Sequence, residues 1–296
     1  MLGTAVRLAL AGRGAQLLQL VRGNPVAPEQ LRWNPAASPS IADTEPLEGL
    51  EAAIHLSGAS VAAHRWTAAY KREIRASRVE STQALAAALA GLRQPPKTLL
   101  VASATGIYGN RGDDLLDERS SPGTGFLADL CREWEAAAGP AAEAGIRVVH
   151  LRFGVVLGPG AGALAKMLPL FRLGVGGRLG SGHQWMSWIS LADAVAAVLF
   201  ALGSNSAAST LAGPVNLTAP APVTNAEFTR ALGRAVHRPA ILPAPAFALR
   251  LALGQMADEA LLSSARVFPA RLINAGFQFA HPNLEAALAA ALEPAQ

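Results

Sequence analysis

The chain has 296 residues, of which 51 % are hydrophobic, 16 % charged and 5 % aromatic. That length and apolar content can bury a sizeable core, in one large domain or a large domain with a smaller companion, and they exclude a disordered chain. The formal net charge of +4 arises from arginines scattered along the sequence rather than clustered, which argues against a nucleic-acid face.

Leu2 to Ala11 reads as a helix stopped at Gly12-Arg13-Gly14, and Ala15–Val21 as a strand. A proline-rich stretch from Pro25 to Pro46 reads as loop around a short Leu31-Arg32-Trp33 segment. Ala52–Leu56 is an apolar strand ending in Ser57-Gly58-Ala59. One long helix from Thr67 to Leu92 then puts Ile74, Leu85, Leu89 and Leu92 on one face. Pro95-Pro96 stops it, Thr98–Ala102 is the next buried strand, Phe126–Ala138 a helix and Ile146–Leu151 another strand. Continuous apolar strands alternating with helices argue for a parallel sheet covered on both faces. Strands ending in small residues belong at its carboxyl edge, where ligands bind.

From Gly160 the character changes. A helix with Leu164, Met167, Leu168 and Phe171 leads into a glycine-rich turn region and a strand over His183–Ile189. Ser190 caps the next helix, and Thr224-Asn225-Ala226-Glu227 has the pattern of a capping box. The expected class is therefore α/β: a doubly wound parallel sheet over residues 1–157 and a smaller C-terminal α+β lobe over 158–296, sharing one cleft.

Cys131 is the only cysteine, which excludes an internal disulfide and fits a reducing compartment. His55, His64, His150, His183, His237 and His281 show no ligand spacing, so no metal site is expected. No apolar run reaches the length of a membrane span, and no signal-peptide pattern opens the chain. The expected setting is soluble and cytoplasmic, without a membrane or nucleic-acid partner.

The run Leu99-Leu100-Val101-Ala102-Ser103-Ala104-Thr105-Gly106-Ile107-Tyr108-Gly109 resembles a strand motif of extended short-chain dehydrogenases/reductases, which are Rossmann-fold proteins. Ile146–Leu157 with Gly158-Pro159 resembles their next strand and the loop beside the nicotinamide. Arg65-Trp66-Thr67, Phe171-Arg172-Leu173-Gly174 and the run from Gly180 to Ile189 (Gly-Ser-Gly-His-Gln-Trp-Met-Ser-Trp-Ile) are similar to an atypical branch, the "epimerase family" proteins of undefined activity. The stretch from Val223-Thr224-Asn225-Ala226-Glu227-Phe228 onward is similar to that branch's C-terminal domain of unknown function.

The resemblance implies a dinucleotide cofactor. Gly3 matches the third glycine of the phosphate loop, whose glycines let backbone N–H groups approach the pyrophosphate at a helix N-terminus. The first strand and the other two glycines lie outside the sequence, so a start assigned at an internal Met, about a dozen residues late, is expected from the size of such units. Arg22 stands where an acidic residue holds the ribose of NAD. A basic residue there suits the 2′-phosphate of NADP, with NAD as the alternative. Ser57, Gly58, Ala59, Ser103, Arg152, Gly154 and Val155 are the other implied cofactor contacts.

For catalysis the resemblance implies a Ser/Tyr/Lys arrangement with an Asn on the long helix, the Tyr exchanging a proton while the nicotinamide exchanges a hydride. Ser103 is present, one residue farther from Tyr108 than usual. The Tyr and Lys positions fall on Leu127 and Cys131, or on Phe126 and Leu130, and the Asn position on Arg78. Tyr108, Cys131 and the acidic loop of Asp113, Asp114, Asp117 and Glu118 are the substitutes at hand. Each also reads as an ordinary structural feature: a packed aromatic, an inert core thiol and a solvated loop. Lys166, Arg172, His183, Gln184, Trp185 and Trp188 would roof a pocket for a small polar or anionic substrate, although the tryptophans equally suit packing between lobes. Two functions remain open: an NADP-linked oxidoreductase or epimerase with a non-standard proton donor, and a dinucleotide-binding sensor or assembly protein without turnover. Pairing of the long helices into a homodimer is implied by relatives.

Overall fold

The structure, a computed structural model, describes residues 1–160, 162–203 and 210–293. In chain order it contains α1 (Leu2–Ala11), β1 (Gln19–Val21), β2 (Gln30–Arg32), β3 (Ala52–His55), α2 (Ala68–Ala76), α3 (Val79–Ala90), β4 (Thr98–Ala104) and β5 (Leu115–Leu116). There follow α4 (Phe126–Ala136), α5 (Gly139–Glu143), β6 (Arg147–Phe153), β7 (Val155–Leu157), α6 (Gly162–Arg172), β8 (Trp185–Met186), β9 (Trp188–Ser190) and α7 (Leu191–Leu202). The last elements are β10 (Gly213–Leu217), β11 (Val223–Thr224), α8 (Asn225–Ala235), α9 (Ala246–Leu253), β12 (Arg266–Val267), α10 (Ala270–Asn274) and α11 (Leu284–Leu292).

Four parallel strands in the order β10-β6-β4-β3 form the main sheet. Side chains alternate across a strand, so Leu99 and Val101 of β4 enter one core layer while Leu100 enters the other. The first layer packs under α3, α4 and α5, through Leu85, Leu89, Trp134 and Ala141. The second packs under α1 and α7, through Val6, Ala194 and Val198. The sheet is thus doubly wound, as its apolar runs imply. β1 and β2 pair in parallel with each other as a separate two-stranded unit.

Two expectations are corrected. The long helix from Thr67 to Leu92 is two helices, broken at Ser77-Arg78. The Ile74 carbonyl that would receive the Arg78 N–H instead accepts from Ser77 Oγ at 2.9 Å and from Arg78 Nη1 at 3.2 Å. The Arg78 N–H drops back to Arg75 O at 3.0 Å, and side-chain competition for a carbonyl of this kind ends helices. The chain also does not leave the sheet once and for all at 157/158. β10 returns to pair along β6, and α7 covers the sheet face beside α1.

The C-terminal lobe has its own core, in which Leu164, Leu168 and Phe171 of α6 meet Trp188, Phe228, Leu232, Leu284 and Leu288. Ser190 caps α7, and Thr224 with Glu227 forms the anticipated capping box of α8. Each such cap is worth about 1 kcal/mol.

Candidate functional site

The main strands are parallel, so their carboxyl ends share one edge. Ala104 stands opposite Phe153, and Phe153 opposite Leu217. Beyond β3 the chain forms a ledge of small residues, with Ser57 and Gly58 exposed and Ala59 half-buried. α1 begins against the Gly158 loop, where a Cβ on Gly158 would lie 3.1 Å from Met1 Sδ. Gly3 and Thr4 in its first turn are exposed, and no acidic side chain lies there. An N-terminus of this kind favours an anion through its unpaired N–H groups and dipole.

Arg22 is exposed just past β1, and its charge reaches His55. Burial, with Arg22 second, pushes the His55 imidazole down to about 4, so it is neutral at physiological pH. Its Nε2 lies 3.1 Å from Ser81 Oγ, and its ring stands edge-on to Trp33. A neutral His55 offers the exposed Arg22 no counter-charge.

Arg78 crosses from the α2–α3 break to the ledge. Its Nη2 donates to Ala59 O at 2.9 Å. A Cβ on Gly58 would lie 3.1 Å from its Cζ, so glycine is what lets the guanidinium lie against this backbone. On its other side is the Trp134 ring, 5.2 Å from Cζ to centroid.

Deeper under the edge lies a continuous polar network. Ser103 Oγ donates to Glu135 Oε1 at 2.7 Å. Arg152 grips the same carboxylate with two bonds of 2.8 Å, and the two side chains are 7 % and 13 % exposed. Arg152 Nη1 donates to Tyr108 Oη at 3.0 Å, and that hydroxyl donates to Asn216 Oδ1 at 2.8 Å. Asn216 Nδ2 reaches Phe268 O, and its backbone N–H donates to Glu118. Burial works against the Arg152 charge, but Glu135 outweighs it and the guanidinium is held above its ordinary range.

The three candidate catalytic groups lie inside this framework. Ser103 is 3 % exposed with its proton committed to Glu135. Tyr108 is fully buried, its phenol pushed up by burial against the opposing pull of Arg152. Cys131 packs with Ile107, Tyr108, Leu116 and Val267, and burial, then the Glu135 charge, pushes its thiol up to about 12. A phenol and a thiol so raised are poor proton acceptors near neutral pH. Arg152 likewise spends its donors on Glu135 and Tyr108 rather than presenting them to the cleft. Gly154 is held against the Ser187 carbonyl, where a Cβ would come within 2.6 Å, and Val155 N–H donates to the same oxygen at 2.8 Å.

The roof residues divide. Lys166 Nζ donates to Ala62 O, tying α6 to the loop beyond the ledge, and Arg172 is exposed at the end of α6. Gln184 is buried and donates to Leu179 O and Leu261 O. Trp188 belongs to the lobe core and donates to Ala221 O. Trp185 donates to Asp113 Oδ1 at 2.8 Å and lies under the Arg266 guanidinium. These last three hold the lobe together. His183 is exposed, and no group of potential metal ligands occurs among the described residues.

Sequence reasoning assigned no role to Glu135 or Asn216, and it met Arg78 only as the residue at the position of the implied Asn. Arg78 did leave a signal, since it falls four residues after Ile74 on the otherwise apolar helix face. Asn216 left none, because a polar residue in a short strand reveals nothing of its cross-chain partner.

Comparison with known proteins agrees with this fold. Residues 1–212 match the NAD dependent epimerase/dehydratase family, and residues 244–291 match a domain of unknown function, DUF1731. An epimerase family protein of Mycobacterium leprae is 46 % identical over 297 residues, covering 100 % of this chain and 94 % of the relative. The crystal structure of human epimerase family protein SDR39U1 (isoform 2) with NADPH superposes with a TM-score of 0.89 at 33 % identity, covering 98 % of this chain and 95 % of that one. A nucleoside-diphosphate sugar epimerase from Corynebacterium glutamicum gives a TM-score of 0.78 at 34 % identity, covering 99 % of this chain and 56 % of its own. The parallel sheet, its small-residue carboxyl edge and these matches together show that the chain belongs to the NAD dependent epimerase/dehydratase family, in the branch that carries a DUF1731 domain.

Proposed function

We propose that this protein binds NADP(H) along the carboxyl edge of the sheet and uses it in an oxidoreductase or epimerase reaction on a small polar substrate. The observation that carries this reading is the Ser57-Gly58-Ala59 ledge after β3, with Leu2 of α1 packed on the same core layer as Leu56 and with the Arg22 charge reaching His55 at the end of β3. The chemistry of the site fits the group: N–H donors for a pyrophosphate, small residues for close approach, and an exposed guanidinium for a 2′-phosphate. The relative solved with NADPH supports the same choice. Bound there, the cofactor would supply a hydride donor or acceptor. Gly3 and Thr4 would bind its phosphates, Arg22 its 2′-phosphate, and Ser57 to Ala59 its ribose. Lys166 and Arg172 offer positive charge on the lobe side to a polar or anionic substrate. Cys131, sequestered and unpaired, suits a reducing cytoplasm.

Fluorescence titration with NADPH and NADH tests the cofactor reading, with tighter binding of NADPH expected and removed in Arg22→Met. Equal affinity of the unsubstituted protein for both nucleotides would defeat the NADP assignment.

The inward orientation of Ser103, Tyr108 and Cys131 favours a second reading, a dinucleotide-binding sensor or assembly protein without turnover. Oxidation of bound NADPH across a panel of carbonyl compounds decides between the two. Consumption with any of them supports an enzyme, and saturable binding without consumption supports the sensor.

A further inference from the structure

Arg78 is a half-buried cation with no carboxylate partner among the described residues. Its acceptors are the Ala59 carbonyl at 2.9 Å, the Ile74 carbonyl at 3.2 Å and Ser77 Oγ at 3.4 Å, all neutral. Burial draws its pKa below the usual range. Arg152, the other guanidinium beneath this edge, has Glu135 in a two-point grip. Charged groups withdrawn from water are normally paired, because the lost hydration is costly. Arg78 Nε–H has no acceptor among the described residues, and it faces the Gly58 backbone, where a Cβ would lie 3.4 Å away.

Placement says what the missing partner is. The guanidinium sits between the ledge after β3 and the inner face of α4, against Trp134 and within electrostatic reach of Cys131. Arg22 lies just beyond β1, near enough to His55 at the end of β3 for its charge to be felt there. A dinucleotide with its 2′-phosphate at Arg22 would bring its second ribose and adjoining phosphate past Gly58. Guanidinium groups recognise such clustered oxygens through paired, directional N–H donors.

We propose that Arg78 is a ligand-binding residue that holds the nicotinamide-side ribose and phosphate oxygens of the dinucleotide. The helix break at Ser77-Arg78 is then part of the site, since it turns this side chain out of the helix line and across to Ala59. The proposal rests on the cofactor reading above, and neither Cys131 nor Leu130, the two positions where the resemblance implies a lysine, supplies a charge, which leaves that charge to Arg78.

The test is calorimetric titration of the full chain and of Arg78→Met and Arg78→Lys with two ligands: NADPH, and 2′,5′-ADP, which lacks the nicotinamide half. Arg78→Met should weaken NADPH by about 10-fold or more, the scale of a lost charge-assisted bond. Affinity for 2′,5′-ADP should stay within about 2-fold, because the adenine-side contacts remain. Arg78→Lys should restore part of the NADPH affinity, since it keeps the charge without the paired donors. Unchanged NADPH affinity, or equal losses for both ligands, overturns the proposal in favour of a tether for the ledge. If Arg78→Met does not fold, Arg78→Lys decides: a loss confined to NADPH supports the proposal, and no loss overturns it. Failure of the unsubstituted protein to bind either ligand removes the cofactor reading itself, and this proposal with it.

Discussion

His55 and Glu135 show how single side chains set the chemistry of this edge. His55 is buried and neutral, with its pKa lowered from 6.5 to about 4. Its depressed value means the unfolded chain takes up the proton first. The stabilisation from burying it neutral is therefore present above pH 6.5 and lost as pH falls toward 4. Over that window it amounts to about 3 kcal/mol. Urea unfolding should show a steeper loss of stability between pH 6.5 and 4 in the unsubstituted protein than in His55→Gln, and parallel profiles would contradict it. Glu135 anchors a largely buried pair with Arg152. Glu135→Gln should cost about 3–5 kcal/mol in urea unfolding, because it leaves Arg152 charged and under-paired; a change near zero would mean that the network rearranges. Cys131, 2 % exposed with its thiol pushed up to about 12, should resist alkylation at pH 8 in the native state and react only in denaturant. Rapid native labelling would show that this helix face opens to solvent.

At the scale of elements, hydrophobic patterning was enough to find the sheet. The apolar runs of β3, β4 and β6 and the terminators of α1 were legible because each is buried by local sequence with a clear period. The break between α2 and α3 was not. Its cause is one carbonyl, Ile74 O, claimed by the side chains of Ser77 and Arg78, and a periodic face gives no sign of that competition. The return of β10 to the sheet was equally hidden, since the pairing of Val215 with Leu151 depends on residues sixty-odd positions apart. The same reason explains the candidate site: Ser57-Gly58-Ala59 and Arg22 could be nominated from sequence because they stand at strand ends, whereas Glu135 and Asn216 act through partners on other elements. The break yields a prediction of its own. Ser77→Ala removes one competitor for Ile74 O and the hydroxyl that receives Ala59 N–H at 3.0 Å. It should loosen the ledge, raising hydrogen exchange at Ala59 while leaving the β4 amides unchanged. Unaltered exchange at Ala59 would show that Arg78 alone holds the ledge.

At the scale of the whole molecule, the sheet and the C-terminal lobe are joined beside the proposed cofactor edge. Lys166 reaches the loop after the ledge, Arg65 Nη1 reaches Leu251 O, and Asn216 reaches Phe268 O. On the proposed reading, a substrate enclosed there would touch both parts. No helix among the described residues is long and apolar enough to cross a membrane. A crystal structure with NADPH tests the central claim most directly. The account predicts the 2′-phosphate beside Arg22, the dinucleotide along Ser57 to Ala59, and the nicotinamide-side ribose within hydrogen-bond reach of Arg78. Nucleotide bound away from the carboxyl edge, or a 2′-phosphate remote from Arg22, would contradict it.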